Sequence, residues 1–266
     1  MNHNTVYLYL IAPLHTGGAT QEGNLLGIAR ESHTEIPYVP SSTIRGKLRS
    51  LTAAASLNKL WGNTIDDVTS GTDTNLSQGA LWVGDASILW IPVPSLSHGV
   101  VWVSSPMLLR RWARLNAPTL EIPADYSTNI AAGKPVYLKD AILKPEALTT
   151  WSQWQQFIPI QAQASIQNVL ILPDRHCATL IQMSLWRQVK IKLDEHKVVD
   201  GGFRYEEAIP PDTLMYFPWG VTSQANGTGA SAITDLKALL TEHQILQIGG
   251  QESLGRGFVQ QWMESK

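Results

Sequence analysis

The sequence predicts an α+β fold. Two observations carry that reading. Runs rich in Val, Ile, Leu, Tyr and Trp recur between prolines and glycines, as strands do. Among them stand segments whose apolar residues fall at helical spacing. The 266 residues suffice for one large domain or two small ones with a substantial core.

Residues 5–12, TVYLYLIA, read as a buried strand that Pro13 ends. HTGGATQEGNLLG, with four glycines in thirteen residues, reads as a long loop. IPYVP is extended, because residues before proline are pushed away from helix. A helix then begins with Ser41 or Ser42 as its cap. Ile44, Leu48, Leu51 and Ala55 form its buried face, with Arg45 and Arg49 one turn apart beside it. Gly46 inside this helix costs about 1 kcal/mol relative to alanine and suggests close approach by another backbone. Residues 64–79 are polar and read as a surface loop. ALWVGDASILWIPV reads as two strands interrupted at Gly84-Asp85, and GVVWVSS as another. SSPMLLRRWARLN is a helix with Ser105 as cap and Pro106 at its first position. Leu108, Leu109, Trp112 and Leu115 face inward; Arg110, Arg111 and Arg114 project.

From about 120 to 199 the patterning weakens, and this region reads as an insertion. VKIKLDEHKVV within it looks like a hairpin turning at Asp194-Glu195. Extended structure returns at GFRYEEAIPPDTLMYFPWGV. SAITDLKALLTEHQ is a helix facing inward with Ile233, Leu236, Leu239 and Leu240. ILQIGG is a strand, and FVQQWM reads as strand too. The scattered tryptophans are assigned to core or interface.

A hydrophobic fraction of 44% and a charged fraction of 16% describe an ordinary globular chain. The net charge of −2 argues against a freestanding nucleic-acid binder, so any basic groups for RNA must be gathered locally. The lone Cys177 excludes an internal disulfide, fits a reducing cytoplasm, and reads as a small buried residue. The first residues lack the features of a signal peptide. No apolar run reaches the ~20 residues that span a bilayer, so no membrane partner is expected.

Two segments suggest anion binding. GQESLGRG nearly spells a phosphate-binding loop, but Arg256 replaces the lysine and Gly257 the hydroxyl residue. The strand that follows withholds a helix N-terminus, which excludes nucleotide hydrolysis. What remains is a glycine-rich backbone able to approach an anion, with Arg256 adding charge. The helix start at Ser41-Ser42 is the second, with Arg45, Lys47 and Arg49 reinforcing it. His15, His33, His98, His176, His196 and His243 are isolated, and neither a metal motif nor a nucleophile elbow is present.

Taken in order, LHTGG (14–18), RESHTEIPYVPSSTIRGKLR (30–49), ALWVGDASIL (80–89), VWVSSPMLLRR (101–111), YEEAIPPDTLMY (205–216) and LQIGGQESLGRGFV (246–259) resemble the Cmr4 family. These are Cas7-type RAMP backbone subunits of type III-B CRISPR effector complexes. The resemblance spans essentially the whole chain. It implies a ferredoxin-like, RRM-related palm within a single domain over 1–266, with an inserted thumb at approximately 120–200. It also implies a cytoplasmic ribonucleoprotein. Its partners would be a guide CRISPR RNA, complementary target RNA, other copies joined head to tail, and other Cmr-complex subunits. The family's helix motif matches Ser41, Ser42, Arg45 and Gly46, and implies contact with the guide backbone there, with Lys47 and Arg49 adjacent. Its terminal glycine-rich loop matches Gly249, Gly250, Gly255, Arg256 and Gly257. Tyr205, Glu206 and Glu207 fall in the segment resembling its target-facing loop.

The sequence departs from that family at one point. Active members carry an aspartate before the R-E-x-H-T segment, where it supports metal-dependent cleavage of target RNA. Here the stretch reads NLLGIARE and the position holds Leu25. Two readings follow. One is an RNA-binding backbone subunit that does not cut, with no cofactor and no metal. The other is an endoribonuclease using Mg²⁺ and a displaced carboxylate such as Glu22, with His15 nearby.

Overall fold

The computed structural model describes residues 3–71, 75–131, 133–225 and 227–263, and the side chains of all these except 19–22 and 224. In chain order the first elements are β1 (His3–Leu10), β2 (Gly17–Glu22), β3 (Leu25–Ile28), β4 (Tyr38–Val39), α1 (Ser41–Leu51), α2 (Ala54–Trp61) and α3 (Ile65–Thr69). There follow β5 (Leu81–Val83), β6 (Ala86–Ser95), β7 (Gly99–Ser104), α4 (Pro106–Asn116), β8 (Ser127–Thr128), β9 (Val136–Leu138), β10 (Ala141–Leu143) and β11 (Thr149–Thr150). The last are β12 (Val169–Ile171), α5 (Asp174–Ser184), β13 (Trp186–Leu193), β14 (Val199–Ala208), β15 (Leu214–Val221), α6 (Gly229–Glu242), β16 (Ile245–Gln247) and β17 (Phe258–Met263).

The alternation of β1 decides the layering. Val6, Leu8 and Leu10 enter one core with Ile44 and Leu48 of α1 and Leu236 and Leu240 of α6. Tyr7 enters another with Leu109 and Trp112 of α4, Trp90, Leu214 and Phe157. A strand's side chains alternate between faces, so β1 is buried on both. The main sheet runs β11-β8-β12-β7-β6-β15-β1-β17-β16, with β4 on β6 and β5 on β15. β1 is antiparallel to both β15 and β17, and β15 is antiparallel to β6. Two buried indoles of the second core are paired: Trp112 Nε1 donates to Tyr7 Oη at 2.9 Å, and Trp90 Nε1 to the Phe157 carbonyl at 3.0 Å. A smaller sheet, β13-β14-β3-β2, stands apart from the main one.

The fold is mixed α and β around a large sheet, and several elements depart from the sequence reading. Residues 15–27, read as loop, supply most of a hairpin formed by β2 and β3. Gly23, at φ +59°, makes its turn, and β3 gains a ladder from β14. The helix read through Ala55 stops at Leu51. Thr52 caps it in extended conformation and Ala55 is exposed on α2. Its N-cap is Pro40, not a serine, and no side chain of the cap residue closes it. The polar stretch 64–79 contains α3, closed by a reciprocal capping box of Thr64 and Asp67. α5 escaped the sequence reading, because its buried stripe is only Cys177, Leu180 and Ile181. Burial, with the Asp174 charge nearby, pushes the Cys177 thiol up to about 12, which makes it inert. Within 120–200, β8 and β12 extend the main sheet, and the β13–β14 ribbon projects with its outer residues exposed.

The β16–β17 connection folds back onto the end of β1. The Gly257 N–H donates to the Pro13 carbonyl at 2.9 Å, and the Gly250 N–H to the His15 carbonyl at 3.0 Å. A methyl group on Gly257 would stand 1.9 Å from the Ile248 carbonyl oxygen, and one on Gly249 2.4 Å from that of His15. Both glycines have positive φ. Gly257→Ala is therefore expected to destabilise by more than about 2 kcal/mol in chemical denaturation, combining strain and collision. Gly255→Ala, where φ is also positive but space is open, is expected to cost about 1 kcal/mol. Equal costs at the two positions would contradict the close-approach account.

Candidate nucleic-acid interface

The smaller sheet presents two faces with different chemistry. Arg187 pairs with Glu207, Val189 with Tyr205 and Ile191 with Phe203. Leu25 of β3 stands beside Tyr205, so these residues share one face. Gln188 pairs with Glu206 and Lys190 with Arg204 on the other. The Tyr205 N–H donates to the Asn24 carbonyl at 2.7 Å, which fixes the hairpin tip against the ribbon.

A cleft of about 730 Å³ opens along the first face, lined by Leu25, Gly27, Arg30, Glu35, Tyr38, Pro40, Gln182, Arg187 and Glu207 among others. Glu207 is its buried carboxylate. Arg30 Nη2 meets one oxygen at 2.6 Å and Arg187 Nε the other at 2.9 Å. Arg30 also donates to the Gln182 side chain, which in turn donates to the Glu35 carbonyl. Behind the site, His15 Nδ1 donates to the Glu207 carbonyl at 2.8 Å. Strand, hairpin and α5 thus converge on one acid. Beyond the cleft this face becomes apolar and open: Val189, Ile191, Phe203 and Tyr205 are each 42–50% exposed.

The second face meets the glycine-rich loop. Arg256 lies 3.8 Å from the centre of the Trp186 ring, and its Nη2 donates to Gln188 Oε1 at 2.8 Å. Glu206 is buried between Lys190 Nζ at 2.6 Å and Arg204 Nη2 at 2.9 Å. Burial alone would raise its pKa. The hydrogen bond and charge of Lys190, with Gln251 and Arg204, outweigh that and hold it below the usual carboxylate value.

The cations behind Ser41-Ser42 have a structural use. Arg45 donates to the Trp61 carbonyl, and Arg49 Nη1 to the Gly62 carbonyl at 2.6 Å. Both satisfy the unpaired carbonyls at the end of α2, where positive charge also complements the helix dipole. At the start of α1, Asp85 Oδ1 accepts the Ser41 N–H at 2.6 Å. Ser42 is exposed and Lys47 half-buried. Gly46 has open space where a side chain would stand, and among the described residues no other segment's backbone approaches that position within 4 Å.

The sequence-chosen residues therefore fall into three places. Gly249, Gly250 and Gly257 pack on the Pro13–His15 segment, Gly255 is open, and Arg256 is on the ribbon. Ser41, Ser42, Arg45, Lys47 and Arg49 lie on α1, whose Pro40 borders the cleft. Tyr205 is exposed, whereas Glu206 and Glu207 are each 1% exposed and ion-paired. His15 is buried. Glu22 closes β2 opposite Leu25, and its side chain lies outside the described residues. Sequence reasoning missed Arg30, Glu35, Gln182 and Arg187. The alternation of RQVKIK in a hairpin was the available signal for Arg187. The structure also bears on a metal. Among the described residues no three His, Cys, Asp or Glu side chains gather into a possible site. The buried acid of the cleft has an arginine on each oxygen, and the two guanidinium charges disfavour a divalent cation at that acid.

A long sheet layered by helices on both faces, a second small sheet and a glycine-rich return to the first strand together define a known class. The model of the RAMP superfamily matches residues 7–260, and the chain belongs to that superfamily. Within it, the chain is 29% identical to the CRISPR system Cmr endoribonuclease Cmr4 of Pyrococcus furiosus, over 96% of this chain and 93% of that protein. Its fold matches the crystal structure of oligomeric Cmr4 from Pyrococcus furiosus, with a TM-score of 0.70, 24% identity and 99% and 98% of the two chains covered. It also matches a chain of the type III-B Cmr-beta complex bound to cognate target RNA, with a TM-score of 0.71, 21% identity and 99% and 97% covered.

The Glu206 environment has a pH consequence. A carboxylate whose folded pKa is depressed contributes stability above its unfolded value, and that contribution is lost as pH falls through the folded value. Glu206→Gln is expected to flatten the fall in stability below the ordinary value of 4.5, measured by urea denaturation at stepped pH. An acid limb as steep as that of the parent would contradict the assignment.

Proposed function

We propose that the chain is the guide-binding backbone subunit of a type III-B CRISPR effector complex, and that it holds target RNA without cutting it. Membership of the RAMP superfamily and full-length likeness to Cmr4 support the first part. The order β17-β1-β15-β6, antiparallel throughout, with α1 and α6 in its two crossovers, supports a ferredoxin-like palm. The inserted region at approximately 120–200 ends in the projecting ribbon, which serves as its thumb. Its open apolar face suits a neighbouring copy, since exposed apolar surface of this kind marks contact sites. Copies joined by that face and a different surface of the next chain form a head-to-tail array. The partners are guide RNA, complementary target RNA, further copies and other Cmr subunits, in the cytoplasm.

The observation that carries the non-cutting reading is Glu207. Its oxygens are engaged by Arg30 and Arg187, and two guanidinium charges at that carboxylate disfavour a hard cation there. Leu25, on the same cleft wall, offers no lone pair where active members of the family have an acid. The cleft can hold a phosphate by its arginines, which positions RNA but supplies no nucleophile.

The competing reading is metal-dependent cleavage by a displaced carboxylate. One observation favours it: Glu35 lines the cleft with an exposed side chain. Glu22 is the other candidate. The deciding experiment incubates assembled complex with end-labelled complementary RNA and Mg²⁺ or Mn²⁺. The expected result is bound, intact target, with binding that falls with salt and is alike for unrelated guides. A ladder of regularly spaced products, abolished by Glu22→Ala or Glu35→Ala, would establish the enzyme instead.

A further inference from the structure

The projecting ribbon has little to hold it except its base. Residues 191–205 are exposed throughout, so its direction is set where β13 and β14 leave the body. On the cleft face that base is held by the Arg30–Glu207–Arg187 cluster. On the other face its neighbour is the glycine-rich loop. Arg256 stacks on Trp186 and donates to Gln188, both on β13. Gln251, two residues past Gly249, reaches Glu206 of β14. The loop is itself rigidly placed, since Gly249 and Gly257 approach the backbone too closely for any other residue.

We propose that Arg256 is a positioning residue that fixes the ribbon to the glycine-rich loop, so that RNA held at the loop also sets the ribbon for its neighbour. The inference rests on the guide-binding reading above and deepens it. A guanidinium has the shape for this joint. Its plane covers an indole ring, while its edge donors remain directional, one to Gln188 and others to a phosphate. Lysine would lack both the plane and the fork. The loop thereby acts on both strands of the ribbon at once: on β13 through Trp186 and Gln188, and on β14 through Glu206. Ordering the loop with RNA orders the ribbon base, and a ribbon held in one direction offers its apolar face in one register.

The test is hydrogen–deuterium exchange of the full chain against Trp186→Leu and Gln188→Leu, which remove the two contacts and leave the loop intact. Amides in 186–193 and 203–208 are expected to exchange roughly tenfold faster in Trp186→Leu and severalfold faster in Gln188→Leu, as loss of a cation–π contact or a charge-assisted hydrogen bond gives. Those of β1 and β15 are expected to stay unchanged, which shows that the variants fold. Adding guide RNA to the parent is expected to slow exchange in 249–257 and in the ribbon together, and in Trp186→Leu to slow the loop alone. Unchanged ribbon exchange in both variants would overturn the proposal, as would RNA protection that reaches the ribbon equally without Trp186. If RNA protects no part of the parent, the guide-binding reading fails, while exchange in the free chain still decides the Arg256 joint.

Discussion

The charge cluster around Glu207 is the constraint on which the rest of the site depends. Glu207 joins Arg30 from the segment after β3 and Arg187 from β13 through its buried carboxylate, and His15 from the connection between β1 and β2 through its main-chain carbonyl. Arg30 extends the cluster to α5 through Gln182. Removing either arginine would leave a buried charge short of a partner, which is far costlier than losing a surface pair. The geometry of the cleft, the base of the ribbon and the seat of the glycine-rich loop are therefore set together. The same arrangement sets two positive charges against the acid, which disfavours a metal cation at this atom.

A chain of near-neutral net charge has few cations to give to a polyanion, and here many already have structural work. Arg45 and Arg49 cap α2, Arg111 holds Glu31, and Arg256 holds the ribbon. Arginine suits both uses, because five donors leave some for RNA after the protein contacts are made. On the proposed backbone role, affinity for a long guide would come from many copies, each contributing a little, and would depend on the copies being in register.

The core strands and α4 were legible because their signals are local. Ser105 and Pro106 open α4 as read, with the Ser105 hydroxyl accepting the Leu108 N–H, and Asp194 turns the ribbon. The β2–β3 hairpin was not legible. Its stability comes from backbone pairing with β14, distant in sequence, and its glycines and polar residues carry no alternating pattern. α5 was hidden by a stripe too short to stand out. The site was harder still. The glycine-rich loop announced itself as backbone able to approach closely, but its partner is the chain's own Pro13–His15 segment. Glu206 and Glu207 look in sequence like solvent-facing acids. The pairing of β13 with β14 brings Arg187 to Glu207 and Lys190 to Glu206, and Arg204 reaches Glu206 from two residues away on β14. The hairpin was legible in the sequence, but the register that sets these pairs was not.

The central claim is that copies of this chain line one guide RNA through the glycine-rich loop and pass the ribbon to the next copy. Electron cryomicroscopy of the chain purified with guide RNA tests it most directly. The account predicts a regular head-to-tail array, with RNA density running past Gly255 and Arg256 of every copy and each ribbon's Val189–Ile191 and Phe203–Tyr205 face against its neighbour. A closed two-fold dimer, or an array whose RNA runs clear of the glycine-rich loop, would contradict it.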